Sequence, residues 1–125
     1  LTNQNPAVLI IEDDADSRAL FKRALETENY GVTTEACASV ALGKLAAGLS
    51  PRLILLDLTM PGMDGADFLL KLKQLPNSAG IKVVLVSGWA DVASRAETLG
   101  ADGYLRKPIE LRTFSREIKK HLPNI

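Results

Sequence analysis

Apolar residues in this chain fall into two spacings that alternate along its length. Three short runs are almost solidly apolar: Ala7-Val8-Leu9-Ile10-Ile11, Leu53-Ile54-Leu55-Leu56 and Ile81-Lys82-Val83-Val84-Leu85-Val86. Runs of this length without alternation predict strands buried on both faces. Val32 to Glu35 is a shorter and more polar strand, which suits a sheet edge. Asp102-Gly103-Tyr104-Leu105-Arg106 is a fifth, ending at Lys107-Pro108.

Between these runs the spacing becomes helical. Leu20, Phe21, Ala24 and Leu25 give one apolar face to a helix over Asp16 to Thr27. Asn29-Tyr30-Gly31 ends it, with Gly31 as the expected left-handed cap. Ser39 is the expected cap of a helix carrying Val40, Ala41, Leu42, Leu45 and Ala46, with Gly48 near its end. Ser50-Pro51 breaks the chain before the third strand. Asp64-Gly65 starts a helix with Phe68, Leu69, Leu72 and Leu75 inward, and Pro76 stops it. Asp91 caps a helix that runs to Leu99 and closes at Gly100. The last helix, Glu110 to His121, aligns Leu111, Phe114, Ile118 and Leu122. Leu1 to Pro6 reads as a polar lead-in.

Five strands alternating with five helices predict an α/β fold: a doubly wound, five-stranded parallel sheet with right-handed crossovers and helices on both faces. The flavodoxin-like order 2-1-3-4-5 is the economical arrangement. The expected domain covers 1–125, with an ordered core over about 6–122. The 125 residues suit one domain. Hydrophobic residues make up 46% and charged residues 24%, an ordinary globular balance. Fifteen Lys and Arg match fifteen Asp and Glu. That balance argues against a direct nucleic-acid partner bound by bulk charge. No apolar run is long enough to span a bilayer, so no membrane partner is expected. A lone Cys37 permits no internal disulfide, reads as a small apolar residue beside a helix, and fits a reducing, cytoplasmic setting. Leu1 in place of an initiator Met fits a chain cut from a longer protein, and processing would leave the same start.

Candidate chemistry collects where a parallel sheet presents its carboxyl ends. The first strand delivers Glu12 and Asp13, the third Asp57, the fourth Ser87 and the fifth Lys107. Carboxylates this close repel one another in a partly buried site. A divalent cation relieves the repulsion, and oxygen ligands suit Mg²⁺. A lysine and a hydroxyl opposite suit a transferred phosphoryl group, with Asp57 as nucleophile. Asp14 and Asp64 read as helix caps rather than ligands.

These residues carry a resemblance. Glu12-Asp13 follows the first strand and Asp57 closes the third; Met60-Pro61-Gly62-Met63-Asp64-Gly65 comes next, then Ser87, Tyr104 and Lys107-Pro108. Over nearly its whole length the chain resembles the receiver domain of bacterial two-component response regulators. The resemblance implies that Asp57 is the phosphoacceptor, supplied by a sensor histidine kinase or a histidine phosphotransfer protein. It implies Mg²⁺ held by the carboxylates of Asp13 and Asp57 and the backbone carbonyl of Thr59, with Glu12 acting mostly through a metal-bound water. Lys107 would pair with one phosphoryl oxygen and Ser87 would donate to another. Tyr104 would turn inward as Ser87 moves, changing the face made by helix four, strand five and helix five. An effector domain or protein, or a second copy in a homodimer, would read that face.

The same resemblance implies a regulatory domain that catalyses only its own phosphorylation and dephosphorylation. Two other readings are a phosphorylation-independent module of the same fold and a Mg²⁺-dependent aspartyl phosphatase. The phosphatase usually carries a second Asp where Thr59 stands. Thr59 and Trp89 are the residues expected to tune phosphoryl lifetime. Trp89 either packs over helix four, or it overhangs the site, slows the approach of water or contacts a partner. The kinase, the signal and the output are not written in the chain, nor is whether it stands alone or comes from a hybrid kinase or larger regulator.

Overall fold

In the computed structural model, residues 6–122 are described. The order of elements is β1 Val8–Ile11, α1 Ala15–Thr27, β2 Val32–Glu35, α2 Ala38–Ala46, β3 Leu53–Asp57, α3 Gly65–Lys73, β4 Lys82–Ser87, α4 Val92–Leu99, β5 Gly103–Arg106 and α5 Leu111–His121. The strands form one sheet in the order β2-β1-β3-β4-β5, all parallel. Of the lead-in expected over Leu1 to Pro6, residues 1–5 lie outside the described residues.

Successive strand residues point to opposite faces, and the core divides accordingly. Leu9, Ile11, Ile54, Leu56, Val83 and Leu85 meet α2, α3 and α4 through Ala41, Leu45, Phe68, Leu69, Leu72, Val92 and Ala96. Val8, Ile10, Leu53, Leu55, Val84 and Val86 meet α1 and α5 through Phe21, Leu25, Phe114 and Ile118. Phe21 and Phe114 stack with centroids 4.9 Å apart, joining those two helices. The central strands are buried on both faces because helices cover both, which is why they read as unbroken apolar runs. β2 is half-buried and lies at an edge.

β5 is tied to β4 at both ends. The Asp102 carboxylate accepts the Val83 N–H at 2.8 Å, and Asp102 N–H donates to the Val83 carbonyl at 2.8 Å. At the other end Lys107 N–H donates to the Ser87 carbonyl at 2.8 Å. The Lys107–Pro108 peptide is cis. Among the described residues no helix is long and apolar enough to cross a membrane.

Several local expectations are corrected. The left-handed residue after α1 is Asn29, at φ 70°, not Gly31. The helix stops at Thr27, so its turn-out falls on Asn29, whose short polar side chain tolerates that conformation. Ser39 lies inside α2, and Cys37 occupies the cap position with no side-chain cap bond. Cys37 is exposed rather than packed. Asp91 stands at the start of α4, yet its carboxylate binds Arg95 Nε at 3.0 Å instead of capping the backbone. Leu20, Val40 and Leu111 face solvent. Each helix lies on one side of the sheet, and its inward stripe is narrower than the full apolar set.

Candidate functional site

The sheet register sets the site. Asp57 is the last residue of β3, paired with Val86, and Ser87 closes β4 opposite Arg106. Glu12 follows β1, and its N–H donates to the Glu35 carbonyl of β2 at 3.0 Å. The backbone thus brings Glu12, Asp57, Ser87 and Lys107 to one end of the sheet. Glu12, Asp57 and Ser87 are 1%, 2% and 0% exposed, the only buried polar or charged residues among those described.

Lys107 Nζ lies 3.1 Å from Glu12 Oε1 and 3.2 Å from Asp57 Oδ2, bridging the two carboxyls. The other Asp57 oxygen, Oδ1, accepts from Thr59 N–H at 2.8 Å and from the Thr59 hydroxyl at 2.6 Å. Glu12 Oε2 accepts the Asp14 N–H at 3.2 Å. Asp13, beside them, is exposed. Asp14 accepts the Ser17 N–H at 2.8 Å, and Asp64 accepts from Ala66 and Asp67 N–H at 3.0 and 3.2 Å. Both are helix caps, as expected.

Burial and the neighbouring Asp57 carboxyl push Glu12 up from 4.5 to about 7. Burial pushes Asp57 up as well, but hydrogen bonds from Glu12 and Thr59 and the charge on Lys107 outweigh it and hold Asp57 below the ordinary carboxylate range. Burial works against the Lys107 ammonium, yet Glu12 and Asp57 outweigh it and raise its affinity for its proton. At neutral pH the site therefore holds an ionised Asp57, a charged Lys107 and a Glu12 poised to give up a proton.

Glu12, Asp13 and Asp57 each place a carboxylate oxygen within 4.8 Å of the others. Three hard oxygen donors, two buried and one open to solvent, fit an ion such as Mg²⁺ that keeps part of its water shell. The cluster is rich in negative charge and has one ammonium, so a further cation has electrostatic room.

Ser87 Oγ accepts the Trp89 N–H at 2.9 Å. The Trp89 ring is half-exposed and lies against α4, with the Arg95 guanidinium 4.4 Å from its centroid. This is the first of the two placements expected for it. Tyr104 is 44% exposed, pointing outward. It lines a groove of ≈ 690 Å³ between α4 and α5, together with Ala93 and Ala96 of α4, Arg106 of β5 and Lys120 of α5.

Two cations escaped the sequence reading. Arg18 Nη1 donates to the Glu12 carbonyl at 2.9 Å and to the Asp13 carbonyl at 3.4 Å, pinning the acidic turn. Arg95 lies on Trp89. The only sequence signal for either was spacing: Arg18 and Arg95 each stand four residues after an Asp on a helix.

The family described as "Response regulator receiver domain" matches residues 8–119. The chain is 28% identical to sporulation initiation phosphotransferase F of Bacillus subtilis over 119 residues, covering 95% of each. It is 39% identical to the nitrate/nitrite response regulator protein NarL of Escherichia coli over 112 residues, which is 88% of this chain and 52% of that one. A response regulator receiver protein from Burkholderia phymatum superposes with TM-score 0.84 at 26% identity, covering 97% of this chain and 98% of that one. A CheY-like receiver domain protein from Methanospirillum hungatei does so with TM-score 0.78 at 32% identity, covering 92% and 91%.

Proposed function

Because the chain belongs to the response regulator receiver family of two-component signalling, whose members serve as regulatory phosphoacceptors, we propose that Asp57 takes a phosphoryl group from a phosphohistidine donor in a Mg²⁺-dependent transfer. The donor would be a sensor histidine kinase or a histidine phosphotransfer protein. The observation that carries this reading is the placement of Asp57: buried at the end of β3, with Oδ2 3.2 Å from Lys107 Nζ.

An Asp57 carboxylate oxygen attacks phosphorus. The new O–P bond forms as the P–N bond to the donor imidazole breaks, and the electron pair of that bond stays on the imidazole nitrogen. Thr59 holds Oδ1 through two donors, which fixes the plane of the carboxylate before the donor arrives. Lys107 offers fixed positive charge to the phosphoryl oxygens. Asp13, Asp57 and the Thr59 carbonyl would hold Mg²⁺, with Glu12 reaching it through water. When bound, that cation supplies charge neutralisation between the carboxylates and the phosphoryl group. A cation held there would favour the ionised form of Glu12, whose carboxylate would accept from a water on the metal.

Ser87 donates to a second phosphoryl oxygen, and Tyr104 turns inward from its present outward position. The groove between α4 and α5 then changes shape, and an effector protein or a second copy reads the change. Local charge at Asp57 biases a surface that has two arrangements.

Incubation with Mg²⁺ and acetyl phosphate or phosphoramidate, followed by intact mass measurement, tests this. The expected result is a gain of one phosphoryl group that Asp57→Asn abolishes. No gain would favour a phosphorylation-independent module. Steady turnover of phosphomonoesters would favour a phosphatase.

A further inference from the structure

We propose that Arg95 is a positioning residue for Ser87, acting through Trp89, and that it holds the Ser87 hydroxyl in the arrangement of the unphosphorylated state. The inference rests on the phosphoacceptor reading of Asp57. It assigns to α4 a control over the site that none of the residues named for that reading supplies.

The chain of contacts is short and continuous. The Asp91 carboxylate holds Arg95 Nε at 3.0 Å, one turn away on the same helix. The Arg95 guanidinium lies over the Trp89 ring, 4.4 Å from its centroid. The Trp89 backbone N–H then donates to Ser87 Oγ at 2.9 Å, so the ring reaches Ser87 only through its own main chain. Ser87 is fully buried and closes β4, so its backbone is fixed by the sheet and only its side chain is free to choose. Trp89, by contrast, sits in a loop between β4 and α4 and carries Gly88 before it, and α4 holds it twice: Val92 N–H donates to its carbonyl at 3.3 Å and Arg95 lies on its ring. The ring also walls a cleft of ≈ 550 Å³ between α4 and the start of α3, lined by Leu58, Met63 and Leu99. That cleft leaves the indole room to move.

The direction of the effect follows from the state in which these contacts occur. Tyr104 points outward here, and Ser87 Oγ is engaged with the loop. Contacts present in this state and altered when Ser87 turns to a phosphoryl oxygen favour the unphosphorylated form. Weakening the Arg95 stack therefore raises the occupancy of the phosphorylated form at a given donor concentration. A partly exposed cation–π contact supports a change of about two- to five-fold.

The test uses Arg95→Gln, which keeps the stem and the helix but removes the cation, and Asp91→Asn, which loosens the guanidinium without removing it. Intact mass is followed across a range of acetyl phosphate concentrations at fixed Mg²⁺. Trp89, the single tryptophan, reports the loop by fluorescence. The expected result is half-maximal phosphorylation at about two- to five-fold less acetyl phosphate in Arg95→Gln, with a smaller shift of the same sign in Asp91→Asn. Trp89 emission should change on phosphorylation of the wild type, and in Arg95→Gln it should begin nearer the phosphorylated value. A merely structural role for Arg95 would lower phosphorylation or leave it unchanged. Either outcome, or a wild-type emission indifferent to phosphorylation, overturns the proposal while a normal mass gain keeps Asp57 as phosphoacceptor. If the wild type gains no mass, the phosphoacceptor reading itself fails.

Discussion

Replacing Glu12 by Gln should remove most of the pH dependence of stability in the chelator-treated protein. Glu12 is 1% exposed, and burial together with Asp57 raises it from 4.5 to about 7. The folded carboxyl thus binds its proton more tightly than the unfolded one. That contribution is fully present below about pH 4.5 and is lost as pH rises through about 7. At about 1.4 kcal/mol per pKa unit, it amounts to roughly 3 kcal/mol between pH 5 and 8. For a domain of this size that is on the order of 10 °C in Tm. The depressed groups Asp14, Glu28 and Asp57 act in a different window. Their contributions are present above the ordinary carboxylate range and are lost in more acidic solution. Gln keeps an acceptor oxygen for Lys107 and does not titrate, though its NH2 replaces the oxygen that accepts the Asp14 N–H, a cost that is the same at every pH. Thermal melts by circular dichroism at pH 5, 6, 7 and 8, at constant ionic strength, supply the comparison. Wild-type Tm should fall with pH while Glu12→Gln stays nearly flat. Added Mg²⁺ should stabilise the wild type more at pH 8 than at pH 5, because protons compete for Glu12. Parallel slopes in the two proteins would refute the reasoning.

Two further outcomes follow from the same contacts. Thr59→Ala removes the hydroxyl donor to Asp57 Oδ1, so the Asp57 pKa should rise when followed by carboxyl NMR; phosphoryl lifetime should change there and in Trp89→Ala, and unchanged lifetimes in both would remove the tuning role. Phe114→Ala empties a fully buried ring that stacks on Phe21 and should cost about 3–5 kcal/mol in urea unfolding, with a cost under 1 kcal/mol showing that α1 and α5 are not locked through that pair.

Sequence carried the architecture further than the local detail. The three solid apolar runs and the polar Val32–Glu35 run already distinguished interior from edge, because a parallel sheet buries its middle on both sides. The positions of Glu12, Asp57, Ser87 and Lys107 were legible for the same reason: strand ends of one kind lie on one side. Their relations were not. Adjacent Glu12 and Asp13 differ in burial because one faces Lys107 and the other solvent, and no local pattern separates them. The bond from Lys107 to Glu12 spans 95 positions. Arg18 and Arg95 were overlooked because exposed helical cations usually face water, and what distinguishes these two is a neighbour in a loop. The caps failed at Gly31 and Ser39 because a shift of two residues in a helix end moves the cap to a different residue type.

The attachment of β5 to β4 at both ends would limit how news of the proposed phosphorylation at Asp57 could leave the site. Asp102 fastens the strand at its start, and the Lys107 N–H fastens it where it meets the site. A strand anchored twice over four residues cannot slide along its neighbour without breaking bonds at both ends at once. What is left to it is a choice of side-chain rotamers. The message carried by Tyr104 would then be a binary posture on a stationary frame, quick to set and quick to reverse, rather than a displacement that the rest of the sheet must follow.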